Sequence, residues 1–273
     1  MLSALEVDET LSPDDFQWLS AFFENRTGIA LKGDKEALVR GRLLSRARAL
    51  GHSSLSTYVG FARSGAGVDE QAAIVDALTT HETSFFREPT HFEVLRQFAS
   101  KHPKPLRVWS AACSTGEEAA SIAMTLAEVD PTLSFEVVGT DIAPETVRKA
   151  QQGLFPIERS AQLAPERLRR HCLRGTREAE GTFRLQPALA ARVRFEVANL
   201  FELPPSLGRF DVIFLRNVLI YFSDVRRRQV VKAVLEHLKP RGLLLPGHAE
   251  QVRDVSTELK SIAVAVFRYE PTP

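Results

Sequence analysis

Four apolar runs in this chain each end in a short polar segment. Ser114-Thr115-Gly116-Glu117 follows Leu106–Ala111, Thr140-Asp141 follows Phe135–Gly139, Asn199 follows Val193–Val197, and Arg216-Asn217 follows Phe210–Leu215. In open α/β sheets, ligands sit outside the carboxyl ends of the strands, so these residues are candidates for binding. The first segment, in AACSTGEE, carries one glycine among small residues. A pyrophosphate cofactor wants several glycines and bare N–H groups at that turn. A nucleoside cofactor without phosphate does not, and S-adenosylmethionine is such a molecule. Asp141 lies about 25 residues beyond Gly116, where an acid bridges ribose hydroxyls in dinucleotide folds. Each residue alone reads better as a turn or cap. Four polar strand ends in a fitting order point to a nucleoside site.

The elements that must position these residues follow from periodicity. Residues 1–85 read as an all-helical domain. Ser12-Pro13-Asp14-Asp15 is a helix start, with a hydroxyl acceptor, a proline at the first position and acids at the positive dipole end. Phe16, Leu19 and Phe23 follow at helical spacing, and Thr27-Gly28 stops the run. A second helix over Asp34–Leu50 and two more over Ser53–Arg63 and Val68–Leu78 complete the domain. Residues 86–273 alternate strands with helices, which predicts a parallel sheet covered on both faces. Helices are expected over 115–129, from Pro144 and over Asp224–Leu238, with further strands over Leu243–Pro246 and Ile262–Phe267. Between Gln151 and Arg192 the alternation lapses. That stretch predicts a small β insertion at about 160–192, with Thr182–Leu185 as one strand.

Composition excludes several classes. The chain has 273 residues, and its 35 Lys plus Arg against 34 Asp plus Glu leave no basic excess for a dedicated nucleic-acid binder. Two distant cysteines, Cys113 and Cys172, and histidines without ligand spacing argue against a disulfide scaffold and a metal site. The start, MLSALEVDETLSPDD, is acidic where a signal peptide would be basic and then apolar. No apolar run approaches the ~20 residues that a membrane helix needs. A cytoplasmic protein without membrane insertion is the expectation.

Several linked motifs make the chain similar to a known family: TTHETSFFRE at 79–88 before His91-Phe92, RVWSAACSTGEE at 107–118, GTDI at 139–142, NL at 199–200, FDVIFLRNVLIYF at 210–222 and GHAE at 247–250. The sequence resembles the CheR family of chemotaxis-receptor methyltransferases. The resemblance implies a Rossmann-like class I S-adenosylmethionine methyltransferase sheet, preceded by a small all-α domain. It also implies transfer of a methyl group from S-adenosyl-L-methionine to receptor glutamates, leaving S-adenosyl-L-homocysteine. By the same resemblance His81, Thr83 and Arg87 approach the methionyl end of the cofactor, Glu117 holds its amino group and Asp141 its ribose. Asn199-Leu200 and Arg216-Asn217 then line the adenosine and the methyl-transfer mouth. His81 stands where the family usually has Asn, Ala119-Ala120 where it has Pro-Tyr, and Ala249 where a serine is common.

Methyl transfer to a carboxylate needs no strong base, because a glutamate with a pKa of about 4.3 is already ionised at neutral pH. Alignment and removal of water must supply the rate. Arg87, through a two-pronged hydrogen bond, and Tyr221 are the candidates for that work. If the segment after the fourth strand is helical, Asn217 and Tyr221 share a face. The plainer readings are a surface ion pair of Arg87 with Glu88 or Glu93, and a core aromatic at Tyr221. The second helix carries Arg42 and Arg46 on one side of its apolar stripe and Arg40 and Arg48 on the other, a basic helix that suits an acidic receptor helix or is merely solvated. Rival readings are a nucleic-acid methyltransferase and a cofactor-binding signalling module without catalysis. Arg216-Asn217-Val218-Leu219 lacks the acidic-amide-Pro-Pro-aromatic pattern common in base methylation, so nucleic acid is not the expected partner.

Overall fold

The computed structural model describes residues 7–102, 105–130 and 132–271. The first six residues, part of the acidic start, lie outside that set. Two compact units result, one of residues 7–80 with 143–145, the other from His81 to Ile142 and from Thr146 onward.

The first unit holds α1 (Pro13–Thr27), α2 (Glu36–Ala49), α3 (Leu55–Arg63) and α4 (Val68–Leu78). The Ser12 hydroxyl accepts the Asp15 amide at 3.1 Å, and Gly28 ends α1 in the left-handed region at φ 75°. Leu19, Phe23, Val39, Leu43, Leu55 and Ile74 are fully or almost fully buried between the helices. Each such side chain contributes about 1.5–3 kcal/mol by leaving water.

The basic face of α2 is used differently from the expectation. Arg42 donates to the carbonyls of Leu78 (2.8 Å) and Thr79 (3.0 Å), so it closes the C-terminal end of α4. Arg46 grips Glu70 by two hydrogen bonds, 2.9 and 2.6 Å, and the Tyr58 hydroxyl donates to the same carboxylate at 3.2 Å. Both guanidiniums serve the packing of their own unit. Arg48 faces Glu9 at 3.4 Å with both side chains half exposed, a weak surface pair.

In the second unit α5 (Pro89–Lys101) precedes the sheet; the sequence reading assigned it no element, although Pro89 marks its first turn. There follow β1 (Leu106–Ala111), α6 (Glu117–Val129), β2 (Phe135–Asp141), α7 (Pro144–Gln152), β3 (Phe155–Pro156), α8 (Pro165–His171), β4 (Cys172–Arg174) and β5 (Thr182–Leu185). Then come α9 (Pro187–Ala190), β6 (Val193–Val197), β7 (Phe210–Leu215), α10 (Asp224–Glu236), β8 (Leu238–Pro246), β9 (Leu259–Ala263) and β10 (Val266–Tyr269).

Among the described residues the main sheet has seven strands in the order β6-β2-β1-β7-β8-β10-β9. The first five run parallel and β10 pairs antiparallel with both its neighbours. This is an α/β fold with a largely parallel, Rossmann-like sheet. β1 and β7 lie at its centre, so their apolar runs are buried on both faces, as continuous hydrophobic strands require.

Two sequence assignments change. Ile262–Phe267 is not one strand: Ala265, at φ 51°, turns the chain between β9 and β10. The insertion is a three-stranded antiparallel sheet, β3-β5-β4, that begins as early as Phe155. Phe85, Phe155 and Phe183 pack together beside it with ring centroids 4.9–5.6 Å apart. No helix among the described residues is long and apolar enough to cross a membrane.

Arg46→Ala leaves the Glu70 carboxylate, largely buried, without its main partner. The expected cost is about 1–3 kcal/mol, toward the lower end because Arg46 itself is half exposed. Hydrogen bonding from Arg46 holds the Glu70 carboxyl below its ordinary value of 4.5. That stabilisation is complete above the ordinary value and fades as pH falls through the lowered folded one. Thermal unfolding of the two proteins should therefore differ most at neutral pH and converge on acidification; a constant difference would remove the charge from the account.

Candidate functional site

The turn after β1 is tight and strained. Ala112 and Ser114 adopt left-handed backbone at φ 62° and 50°, and Gly116 follows at 97°. A side chain at Gly116 would also meet the Phe195 ring at 3.0 Å, so both space and conformation require glycine there. The Ser114 amide donates to Asp141 Oδ2 at 2.9 Å, and the Ser114 hydroxyl donates to the His81 carbonyl at 3.2 Å. His81, the β1 turn and the end of β2 thus meet at one place. The His81 ring lies beside the Thr146 hydroxyl, 3.2 Å from Nε2.

Glu117, at the first position of α6, is only 2% exposed. Its carboxylate accepts from the Thr115 hydroxyl at 2.6 Å and lies 3.6 Å from Arg159. Arg159 also donates to the Thr83 carbonyl, bringing Thr83 and Glu117 to the same guanidinium. The Ala198 amide donates to the Asp141 carbonyl at 2.9 Å, which sets Asn199 and the buried Leu200 beside the end of β2. The Asn199 side chain accepts from the Phe201 amide at 3.0 Å.

Beyond β7 the condition of a helix is not met. Asn217 is left-handed at φ 58°, and only one 3-10 turn, Leu219–Tyr221, follows. An i,i+4 face shared by Asn217 and Tyr221 therefore does not exist. Tyr221 is 39% exposed, so it is not a core aromatic either.

The Arg216 side chain, 1% exposed, runs back into the protein. It donates to Glu118 at 3.0 Å and to the Arg87 carbonyl, and lies 3.4 Å from Glu88. Ser110 donates to the other oxygen of Glu118 at 2.6 Å. Burial pushes the Glu118 carboxyl up, against the opposing pull of Arg216. Arg87 itself donates to the Glu82 carbonyl at 3.3 Å, while Glu88 faces His91 and Arg216 and Glu93 faces Arg96.

Two further groups bear on the chemistry. Cys113 is buried and its thiol is pushed well above the ordinary value, first by burial and then by Asp141, which disfavours a thiolate nucleophile. Glu88, His91 and His248 bring possible ligand atoms within 4.8 Å of one another, a grouping that sequence spacing could not show. The Arg216 guanidinium on the same carboxylate opposes a second cation there. Burial and Arg216 also push His91 down to about 4, so it is neutral at physiological pH.

Sequence reasoning named neither Glu118 nor Glu250, though both lie inside motifs it quoted, and Arg159 had no signal at all. Glu250 accepts the Asn217 amide at 2.9 Å.

Both parts of the chain match models of one family. Residues 81–267 match the CheR methyltransferase SAM-binding domain, and residues 14–79 match the CheR methyltransferase all-alpha domain. The chain belongs to the CheR methyltransferase family. It is 39% identical over 251 residues to a chemotaxis protein methyltransferase of Escherichia coli, covering 90% of this chain and 88% of that protein. Its identity to a Salmonella typhimurium protein of the same name is 38%, covering 94% and 90%. With chemotaxis protein methyltransferase 2 of Pseudomonas aeruginosa it is 37%, covering 93% and 92%.

A CheR methyltransferase uses S-adenosylmethionine, and the donor set fits that molecule. Two buried carboxylates, Glu117 and Asp141, are of a chemistry that can hold an ammonium or a diol, and the β1 turn offers no glycine-rich cradle for phosphate. The chain is an S-adenosylmethionine-dependent methyltransferase.

Arg216→Ala would leave Glu118 buried without its counter-charge. Breaking a buried pair in this way costs about 3–5 kcal/mol. Urea unfolding without ligand should show that loss; a change below about 1 kcal/mol would mean that water screens the pair.

Proposed function

We propose that this protein transfers the methyl group of S-adenosylmethionine to glutamate carboxylates of chemotaxis receptors, forming methyl esters. Its relatives named chemotaxis protein methyltransferases support that acceptor. The contact that carries the reading is the Ser114 amide on Asp141, which joins two strand ends at a turn built for a phosphate-free nucleoside. In this reading Asp141 holds the ribose and Glu117 the amino group. His81, Thr83 and Arg87 surround the methionyl end, and Asn199, Leu200 and Asn217 line the adenosine. Arg216, being buried, contributes through the Arg87 backbone and Glu88.

The cofactor, when bound, supplies a methyl group on a sulfonium, an electrophile that needs only an aligned nucleophile. A carboxylate oxygen forms the new C–O bond as the C–S bond breaks, and no proton moves. The protein's task is therefore geometric. Arg87 grips the acceptor carboxylate with its planar fork, and the hydroxyl of the partly exposed Tyr221 fixes its approach. Arg40 and Arg48 on α2 are the cations we assign to an acidic receptor helix, since Arg42 and Arg46 are committed within their own unit.

Receptor-bearing membranes incubated with tritiated S-adenosylmethionine should gain label that base releases as methanol, with a receptor KM that rises with salt. Base-stable label would indicate an N-methyl product, and no label would leave cofactor binding without catalysis. Tyr221→Phe keeps the ring and removes only the hydroxyl. Its kcat should fall roughly tenfold to a hundredfold, about 1.4–2.7 kcal/mol, with S-adenosylhomocysteine affinity unchanged by calorimetry. Wild-type kcat in that variant would assign the hydroxyl no part in alignment.

A further inference from the structure

We propose that Glu250 is the positioning residue of the Asn217–Tyr221 turn, acting through the backbone and not on the reacting atoms; this rests on the role given above to Tyr221. Glu250 is 7% exposed, and its carboxylate accepts four backbone N–H groups. Oε2 takes the amides of Asn217 (2.9 Å) and Gly247 (2.7 Å), and Oε1 takes those of Val218 (2.8 Å) and Leu219 (2.6 Å).

Three consecutive amides converge on one carboxylate only because Asn217 is left-handed at φ 58° and Val218 follows at φ −122°, ψ −35°. Such an arrangement of successive N–H groups forms an anion-binding concavity. Here the chain supplies its own anion. The carboxylate can come so close because residue 247 is glycine: a Cβ there would stand 2.8 Å from Glu250 Oε2 and 3.2 Å from the Asn217 amide nitrogen.

The turn that presents Tyr221 is built on the clamped residues. The Tyr221 amide donates to the Val218 carbonyl and the Phe222 amide to the Leu219 carbonyl, both at 3.2 Å. Moving Val218 or Leu219 therefore moves the Tyr221 hydroxyl. Burial pushes the Glu250 carboxyl up and the four amides pull it down, as expected of a desolvated anion held by charge-assisted bonds. Glu250→Gln keeps the shape but places an amide NH2 against N–H donors, so at least one donor loses its acceptor.

The test is a double-mutant cycle on the full-length protein with Glu250→Gln, Tyr221→Phe and the pair. Glu250→Gln should lower kcat about tenfold or more while the S-adenosylmethionine KM stays within about twofold. Tyr221→Phe should then cost less than about threefold in that background, because the hydroxyl is already misplaced. A kcat within about twofold of wild type, or an equal Tyr221→Phe penalty in both backgrounds, would overturn the inference. NMR reads the same claim without receptor: the Val218 and Leu219 amide protons and the Tyr221 ring signals should shift in Glu250→Gln, and unmoved signals would sink it. If the variant does not fold, Glu250→Asp enters the same measurements, with the same signals expected to move. A wild-type protein that esterifies no receptor defeats the acceptor assignment alone, and the NMR result then decides the inference.

Discussion

A guanidinium enclosed in protein must find its counter-charges there, and Arg216 organises the sheet's carboxyl edge around that requirement. It leaves the end of β7 and reaches Glu118 in the first turn of α6, Glu88 before α5, and the backbone of Arg87. The faces of Phe92 and Phe214 lie 5.7 and 5.9 Å from its charge. One cation therefore ties the central strand, the helix that follows the β1 turn and the segment that carries Arg87. The pairing is costly to desolvate, so it is weak evidence for stability in itself. What it provides is a fixed relation among three segments that meet at the site.

The same device recurs with the charge reversed. Asp141 holds the β1 turn by an amide, and Glu250 holds the Asn217 turn by three amides and Gly247 by a fourth. Methyl transfer to a carboxylate gives the protein no proton to move, so its contribution lies in where groups stand. Buried charges bonded to the backbone fix loops more firmly than apolar packing alone, because any displacement strands a desolvated ion.

What was legible in the sequence follows from this division. The strand ends, the polar residues there and the order of helices and strands were readable because periodicity and turn chemistry are local. Asp141 and Glu117 stood out by position alone. Arg216 and Asn217 were visible as residues, but not the burial of the first or the left-handed backbone of the second. Both depend on partners remote in the chain, Glu118 and Glu250. Arg42 and Arg46 show the same limit: a helical wheel places them beside the apolar stripe, and only the packing of α2 on α4 reveals that one closes a helix end and the other pairs with Glu70. A helical face shared by Asn217 and Tyr221 stayed open in the sequence because nothing local marks Asn217 as left-handed.

Backbone strain locates the site independently of any motif. Of the eight non-glycine residues with positive φ among those described, five surround these strand ends: Phe86, Glu88, Ala112, Ser114 and Asn217. Such conformations cost roughly 1–3 kcal/mol each and persist only where the surroundings over-determine them. Four of the five have an identifiable restraint. Ser121 accepts the Phe86 amide at 3.0 Å, Arg216 faces the Glu88 carboxylate, Asp141 takes the Ser114 amide and Glu250 the Asn217 amide. Each restraint comes from a different element, so no single segment could keep its strained turn alone. The site is thus a property of the assembled sheet edge, and loosening any one restraint should release its own turn before it disturbs the strands that carry it.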